Sequence, residues 1–334
     1  MPRMPLSNLV ARALTLCTFI ASTSLAQAAP VVLPLPADWY PESVATGPDG
    51  SFYVGSWRQG AVARLRPGAR QPETLVSPGS NGLANGQGVL VDAKRGDLWV
   101  CSGNSGYTTV PKTPSALKRY DLATGTPRAS HPMPDDGYCN DLVQDTRGNL
   151  YVTDSFHPRV LRLKPAAGSA LEVWKEDPML AGTGPYPGLN GIAIDGGAVY
   201  LSVVSAASYL LRIDLSADGT AGAVARVEAP REMKNVDAIR TWKPGQLVLF
   251  ESNAFGKGPY GGQVTLARIT GGDKLALRTV VAGLNDPSSG VVVGNRVYFI
   301  ESKYSLLFQH QGDDATVPRG VPFDLQSREL PGDD

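Results

Sequence analysis

Short runs of apolar residues recur along the chain, each broken by a polar, glycine-containing turn and followed by a second run rich in β-branched and aromatic residues. The segments that align are "ESVATGPDGSFYV" from Glu42, "GVLVDAKRGDLWV" from Gly88, "NDLVQDTRGNLYV" from Asn140, "NGIAIDGGAVYL" from Asn190, "DAIRTWKPGQLVL" from Asp237 and "SSGVVVGNRVYF" from Ser288. This is the pattern of a β-hairpin, repeated six times. Helical periodicity is absent almost everywhere; "MKNVDAIR" could pass for a helical turn, but its place in the repeat predicts the start of a strand.

A third strand is expected after each hairpin ("AVARLRP", "ALKRYDL", "RVLRLKP", "YLLRIDL", "QVTLARI", "SLLFQH"), and a fourth in most ("ETLVSP", "RASHPMP", "ALEVWK", "AVARVEAP", "LRTVVAG"). Units of about 45 to 50 residues with four strands each are the signature of propeller blades. The sequence therefore predicts an all-β fold, a six-bladed β-propeller of four antiparallel strands per blade, as a single domain over residues 30–334. The last unit has no clear fourth strand of its own. Residues 31–35 are expected to supply it and close the ring, which removes an open sheet edge. The tail from "GDDATVPRG" onward is expected beside that seam or mobile.

Composition narrows the function. The chain has 334 residues, formal net charge zero and 19% charged residues, so neither a nucleic-acid groove nor an anionic membrane surface is indicated as partner. Residues 1–29 read as a cleaved secretory signal, with Arg3 and Arg12 flanking its start, "ALTLCTFIASTSLA" as apolar segment and Ala26-Gln27-Ala28 as cleavage site. The apolar run is shorter than the roughly 20 residues a spanning helix needs. A secreted or periplasmic protein follows. Cys101 and Cys139 then face an oxidising compartment, and spacing does not decide between a disulfide and two buried thiols.

Aligning the repeats brings one residue of each to the start of the innermost strand: Glu42, Gly88, Asn140, Asn190, Asp237 and Ser288. Innermost strands line the central channel, so these residues should face one another. Two carboxylates and two amide carbonyls converging on one axis suit a hard divalent cation. Local turn chemistry accounts for Asn140 or Asn190 taken singly. It does not account for Glu42, or for four such residues in one register.

Glu42 in the first blade, Asn140-Asp141 in the third, Asn190-Gly191 in the fourth and Asp237 in the fifth resemble the ring of the senescence marker protein/gluconolactonase (regucalcin-like) family, over essentially the whole mature chain. More distantly, the ring is similar to that of the paraoxonases and the diisopropyl fluorophosphatase type. The resemblance implies a metal-dependent lactonase or esterase with one divalent cation, Ca²⁺ first and Zn²⁺, Mn²⁺, Mg²⁺ or Fe²⁺ as alternatives. It implies Glu42, Asn190 and Asp237 as ligands, with Asn140 beside or on the metal and also contacting substrate. Asp237 would then be both ligand and proton acceptor. Tyr138-Cys139 stands where the sugar-lactonase branch has Arg-Phe, and Ser43 and Ala238 where it has Gly, which leaves the substrate open.

Trp57, Asn104, Phe156, Asn253 and Tyr304 are expected as pocket walls, with Tyr138, Asp141 and His157 as further substrate contacts. His157, in "TDSFHPRV", lacks a placed partner and reads more readily as an exposed loop histidine than as part of a catalytic unit. Three Gly/Pro/Tyr-rich insertions, "NSGYTTVPKTPSA", "EDPMLAGTGPYPG" and "SNAFGKGPYGG", are candidates to roof the mouth. The expected partner is a small lactone or ester, with the chain a monomer. A phosphotriester is the alternative substrate, since the same cation would polarise a phosphoryl oxygen. A non-enzymatic binding propeller pinned by its metal is the alternative class.

Overall fold

The structure, a computed structural model, describes residues 31–166, 168–184, 187–205, 207–253, 261–271, 273–311 and 313–332. The expected signal segment and most of "SNAFGKGPYGG" lie outside them. The described residues form a six-bladed β-propeller of six four-stranded antiparallel sheets. The innermost strands are Pro41–Thr46, Asn85–Asp92, Cys139–Gln144, Gly188–Asp195, Val236–Lys243 and Gly290–Val293. The hairpin partners and outer strands follow in sequence order in blades one to five, as the repeat requires. "MKNVDAIR" enters the innermost strand of blade five.

Blade six corrects one expectation. "SLLFQH" is not a strand: Ser305–Phe308 is a single helical turn, and the third strand is the tail segment Asp324–Glu329. The helix follows from spacing. Tyr304, Leu307 and Phe308 recur at i, i+3 and i+4, the first two are buried, and Tyr304 and Phe308 pack against Trp57. The backbone N–H groups of Tyr304 and Ser305 at the start of the turn act on the buried Asp286 carboxylate, partly offsetting the effect of its burial. The N-terminal strand Val32–Pro34 pairs with Asp324–Glu329 as the outermost strand of the sheet, so the ring closes as expected.

Burial grades outward. The two inner strands of blade one are buried almost throughout, whereas outermost strands such as Glu73–Val76 and Pro127–Pro132 are largely exposed. That gradient is why the outer strands are the least distinct in the apolar pattern. The core is distributed between neighbouring blades: Val54 and Ala63 of blade one meet Ile300 and Leu325 of blade six, and Tyr151 and Val160 of blade three meet Leu201 and Leu211 of blade four.

In blades one to five the innermost strand slips its pairing by a bulge near its start, between Pro41 and Ser43, Gly86 and Val89, Cys139 and Leu142, Leu189 and Ile192, and Val236 and Ala238. A bulge re-aims a side chain that strict alternation would send elsewhere. At three seams, residues at or beside these positions bond the neighbouring blade. Val89 N donates to Ser43 Oγ (3.1 Å), Ile192 N to Asp141 Oδ2 (3.4 Å) and Ser288 Oγ to the Glu42 carbonyl (2.9 Å). At two seams only glycine fits. A Cβ on Gly88 would lie 2.8 Å from Asp141 Cα, and one on Gly191 would lie 2.7 Å from Ala238 Cα.

Gly191→Ala is therefore expected to destabilise by about 1–3 kcal/mol, because the obstructing atoms are backbone. Urea unfolding of the variant measures this, and an unchanged midpoint would show that the seam relaxes freely.

Candidate active site

The bulges gather Glu42, Gln87, Asn140, Asn190 and Asp237 at the floor of a cavity of about 300 Å³ at one mouth of the channel. Its walls include Trp57, Tyr138, Phe156, Tyr304 and Phe308. Glu42, Asn140, Asn190 and Asp237, the four donors expected from the sequence, therefore meet in one place, all of them buried. Asn104 and Asn253 are not among the lining residues.

Gln87 is the residue the repeat alignment missed. The bulge sets Gln87-Gly88 opposite Cys101 as it sets Asn190-Gly191 opposite Ser202, so the register in blade two runs through Gln87 and Gly88 falls one place later. The shared Gly after the ring position was the available signal. In the amide orientation that satisfies every partner, Gln87 Nε2 donates to Glu42 Oε1 (2.8 Å), and its oxygen accepts from Trp57 Nε1 (2.7 Å) and from the Tyr138 hydroxyl. Trp57 and Tyr138 thus hold Gln87, which in turn holds Glu42.

The other donors are also oriented. Asn190 Nδ2 donates to Asp237 Oδ1 (2.7 Å), and Asn140 Nδ2 donates to Ser155 Oγ (2.9 Å). Each amide is thereby fixed by its nitrogen, while Oδ1 of Asn140 and Oδ1 of Asn190 are buried with no hydrogen-bond partner. Such atoms cost free energy unless something meets them.

The electrostatics are one-sided. Burial, then the charges of Asp237 and Asp141, push the Glu42 carboxyl well above the usual carboxylate range, with Arg240 opposing. Burial likewise pushes Asp237 up to about 7, aided by Asp286 and Asp141 and opposed by hydrogen bonds from Ser252 and Asn190. Buried like charges of this kind call for a cation or a proton. Among the described residues no three His, Cys, Asp or Glu side chains cluster in metal-holding geometry. The set here is two carboxylates and two free amide oxygens, all hard donors, and it fits a hard divalent cation on donor chemistry.

Two sequence-predicted substrate contacts lie elsewhere. Asp141 is not a lining residue: the bulge turns it to Arg240, whose Nη1 donates to Asp141 Oδ2 at 2.8 Å and whose Nη2 donates to Ser289 Oγ at 3.0 Å. Arg240 also lines the apolar lower channel beside Val44, Leu142 and Ile239, so the pair separates the site from that channel. His157 sits in an adjacent hollow with Pro158 and Leu180, its Nδ1 3.2 Å from Asp154 Oδ2. Asp154 is itself committed to Arg159 Nε (2.9 Å) and the Tyr138 N–H (2.8 Å).

Cys101 and Cys139 form a disulfide, which settles the question their spacing left open. It ties the strand facing Gln87 to the residue before Asn140.

Neither a protein-family model nor a curated protein sequence matches the chain. Solved structures do match in fold. A gluconolactonase from Xanthomonas campestris is similar at TM-score 0.58 and 16% identity, covering 90% of this chain and 89% of that one. A luciferin-regenerating enzyme is similar at TM-score 0.58 and 13% identity, covering 91% and 98%. A nidogen/laminin complex also matches, at TM-score 0.54 and 14% identity, covering 75% and 86%. Identities this low establish the shared propeller fold.

Replacing Arg240 by Met is expected to cost about 3–5 kcal/mol, because it strands Asp141 in the channel beside two other acids. The double variant Asp141→Asn/Arg240→Met should recover a large part of that loss. Urea unfolding of the single and double variants measures both, and additive losses would show that the two side chains do not act as a pair.

Proposed function

We propose that the chain is a divalent-cation-dependent hydrolase of a neutral lactone or related ester. The observation that supports this best is the convergence of buried Glu42 and Asp237 with the free amide oxygens of Asn140 and Asn190 at the floor of a cavity of small-molecule size. In this reading Glu42, Asn190 and Asp237 hold the cation, Ca²⁺ first, and Asn140 completes the set or contacts substrate. When bound, the cation supplies Lewis acidity toward a carbonyl oxygen and toward water.

The chain's own residues do the rest. Asp237 takes a proton from the attacking water as its oxygen adds to the carbonyl carbon, then returns that proton to the ring oxygen as the ring C–O bond breaks, so that a hydroxy acid leaves and the carboxylate is restored. Asn190 fixes the Asp237 carboxylate through its Nδ2, and Gln87 fixes Glu42. Gluconolactonases among the proteins of similar fold support the reaction class. A nidogen/laminin complex of similar fold is the reason to test it against a binding propeller. The disulfide supports secretion to an oxidising compartment, in line with the signal-like residues 1–29. Among the described residues no helix is long and apolar enough to cross a membrane.

Asp237→Asn and Glu42→Gln are each expected to lower Ca²⁺ affinity in calorimetry by at least about 10²-fold and to abolish hydrolysis across a panel of lactones, aryl esters and phosphotriesters. Chelation should do the same to the parent protein. Turnover indifferent to chelation and to Asp237→Asn would overturn the reading, and cation binding without any turnover would favour the binding propeller.

A further inference from the structure

The cavity walls specify more than a reaction class. Trp57, Tyr107, Tyr304 and Phe308 form one continuous aromatic group: Trp57 stacks on Tyr107 with centroids 5.5 Å apart, and Phe308 meets Tyr107 edge-on at 5.5 Å and stacks on Tyr304 at 5.9 Å. Tyr138 and Phe156 form a second group, with centroids 4.9 Å apart. Both groups line the cavity, and no Lys, Arg or His is among its described lining residues.

Most polar wall groups are already engaged, the Tyr107 hydroxyl being the exception among the described residues. The N–H of Trp57 and the hydroxyl of Tyr138 go to Gln87. Ser105 Oγ donates to Asn85 Oδ1 (3.2 Å), Ser155 Oγ to the Leu189 carbonyl (2.6 Å) and Asn140 Nδ2 to Ser155. The Tyr304 hydroxyl faces Ser302 and Ser288, whose own hydroxyls go to the Pro41 and Glu42 carbonyls. The acceptors left on the floor, Oδ1 of Asn140 and of Asn190 and the carboxylates of Glu42 and Asp237, are those the cation would take. A ligand carrying several hydroxyls would lose their water on entry and find few partners, whereas an apolar ring would bury against aromatic faces.

We propose that this site is selective for an uncharged lactone or ester with an apolar, flat body, an aryl or short alkyl substituent, and that it discriminates against polyhydroxylated sugar lactones. The proposal rests on the hydrolase reading for the reacting carbonyl, but the aromatic walls carry the selectivity independently of turnover. Phe156 is its most accessible element, since 55% of its surface is exposed and its removal leaves the inter-blade cores intact.

The test compares γ-phenyl-γ-butyrolactone with glucono-δ-lactone as substrates of the Ca²⁺-loaded protein. The corresponding non-hydrolysable γ-phenyl-γ-lactam and glucono-δ-lactam serve as calorimetric ligands. We expect kcat/KM to favour the phenyl lactone by about 10²-fold or more, and Phe156→Ala to lower its kcat/KM by about 10-fold. Phe156→Leu should lose less, and neither substitution should move the Tm. Comparable or better turnover of the sugar lactone overturns the proposal. If neither lactone is hydrolysed, the hydrolase reading fails and the lactams decide. Tighter binding of the phenyl lactam, weakened by Phe156→Ala, then supports the selective wall. Equal or tighter binding of the sugar lactam, binding of neither, or indifference to Phe156→Ala overturns it.

Discussion

Among the described residues, one guanidinium, that of Arg240, faces the channel carboxylates Glu42, Asp141 and Asp237. Arg240 pairs with Asp141 directly, opposes the charge on Glu42 only at longer range, and leaves Asp237 to hydrogen bonds from Asn190 and Ser252. The same side chain reaches the Gly290 carbonyl at 3.1 Å and Ser289 Oγ at 3.0 Å, while Asp141 accepts from the Ile192 N–H. Blades three, four, five and six are thus tied through a single ion pair, and Gly88 of blade two packs on its acidic member. An arrangement satisfied below and unsatisfied above is a polarised one: the pair uses the available positive charge to hold the ring together, so the two acids at the mouth remain uncompensated.

The bulges make this division possible. In a regular strand consecutive residues point to opposite faces, and Asn140 and Asp141 could not serve two levels of the same channel. With one extra residue in the innermost strand, the first member of each pair turns to the cavity and the second turns to the seam. The first members are therefore polar, and the second members are small wherever blades press closest, as at Gly88, Gly191 and Ala238. Asp141 is the exception because Arg240 meets it.

The fold and the convergence of the four expected residues were legible because each hairpin repeats a local pattern: apolar run, glycine turn, apolar run. Repetition turns a weak local signal into a register, and the register brings Glu42, Asn140, Asn190 and Asp237 to one axis before any geometry is known. What it hid has a physical cause in each case. Gln87 was lost because the bulge lengthens the strand start by one residue, and apolar positions alone do not show which of two adjacent polar or glycine residues turns inward. That Asp141 lies off the cavity was not legible because its partner is a single arginine 99 residues away in sequence. "SLLFQH" misled because a six-residue segment with three consecutive apolar residues satisfies both periods, and the contacts of Tyr304, Leu307 and Phe308 decide for the helix.

The walls come from a different source than the floor. Ring donors sit at the starts of innermost strands, fixed by blade closure, whereas Tyr107, Phe156 and Phe308 come from connections that the propeller does not constrain to one form. Function on a rigid scaffold often divides in this way, with the frame setting reaction geometry and the loops setting the ligand. Here the two are coupled at one point. Trp57 and Tyr138 present their rings to the cavity and spend their polar atoms on Gln87, which orients Glu42. A change of wall at either residue would therefore disturb the floor as well, so variation in ligand preference without loss of the donor ring is open to Tyr107, Phe156 and Phe308 and closed to Trp57 and Tyr138.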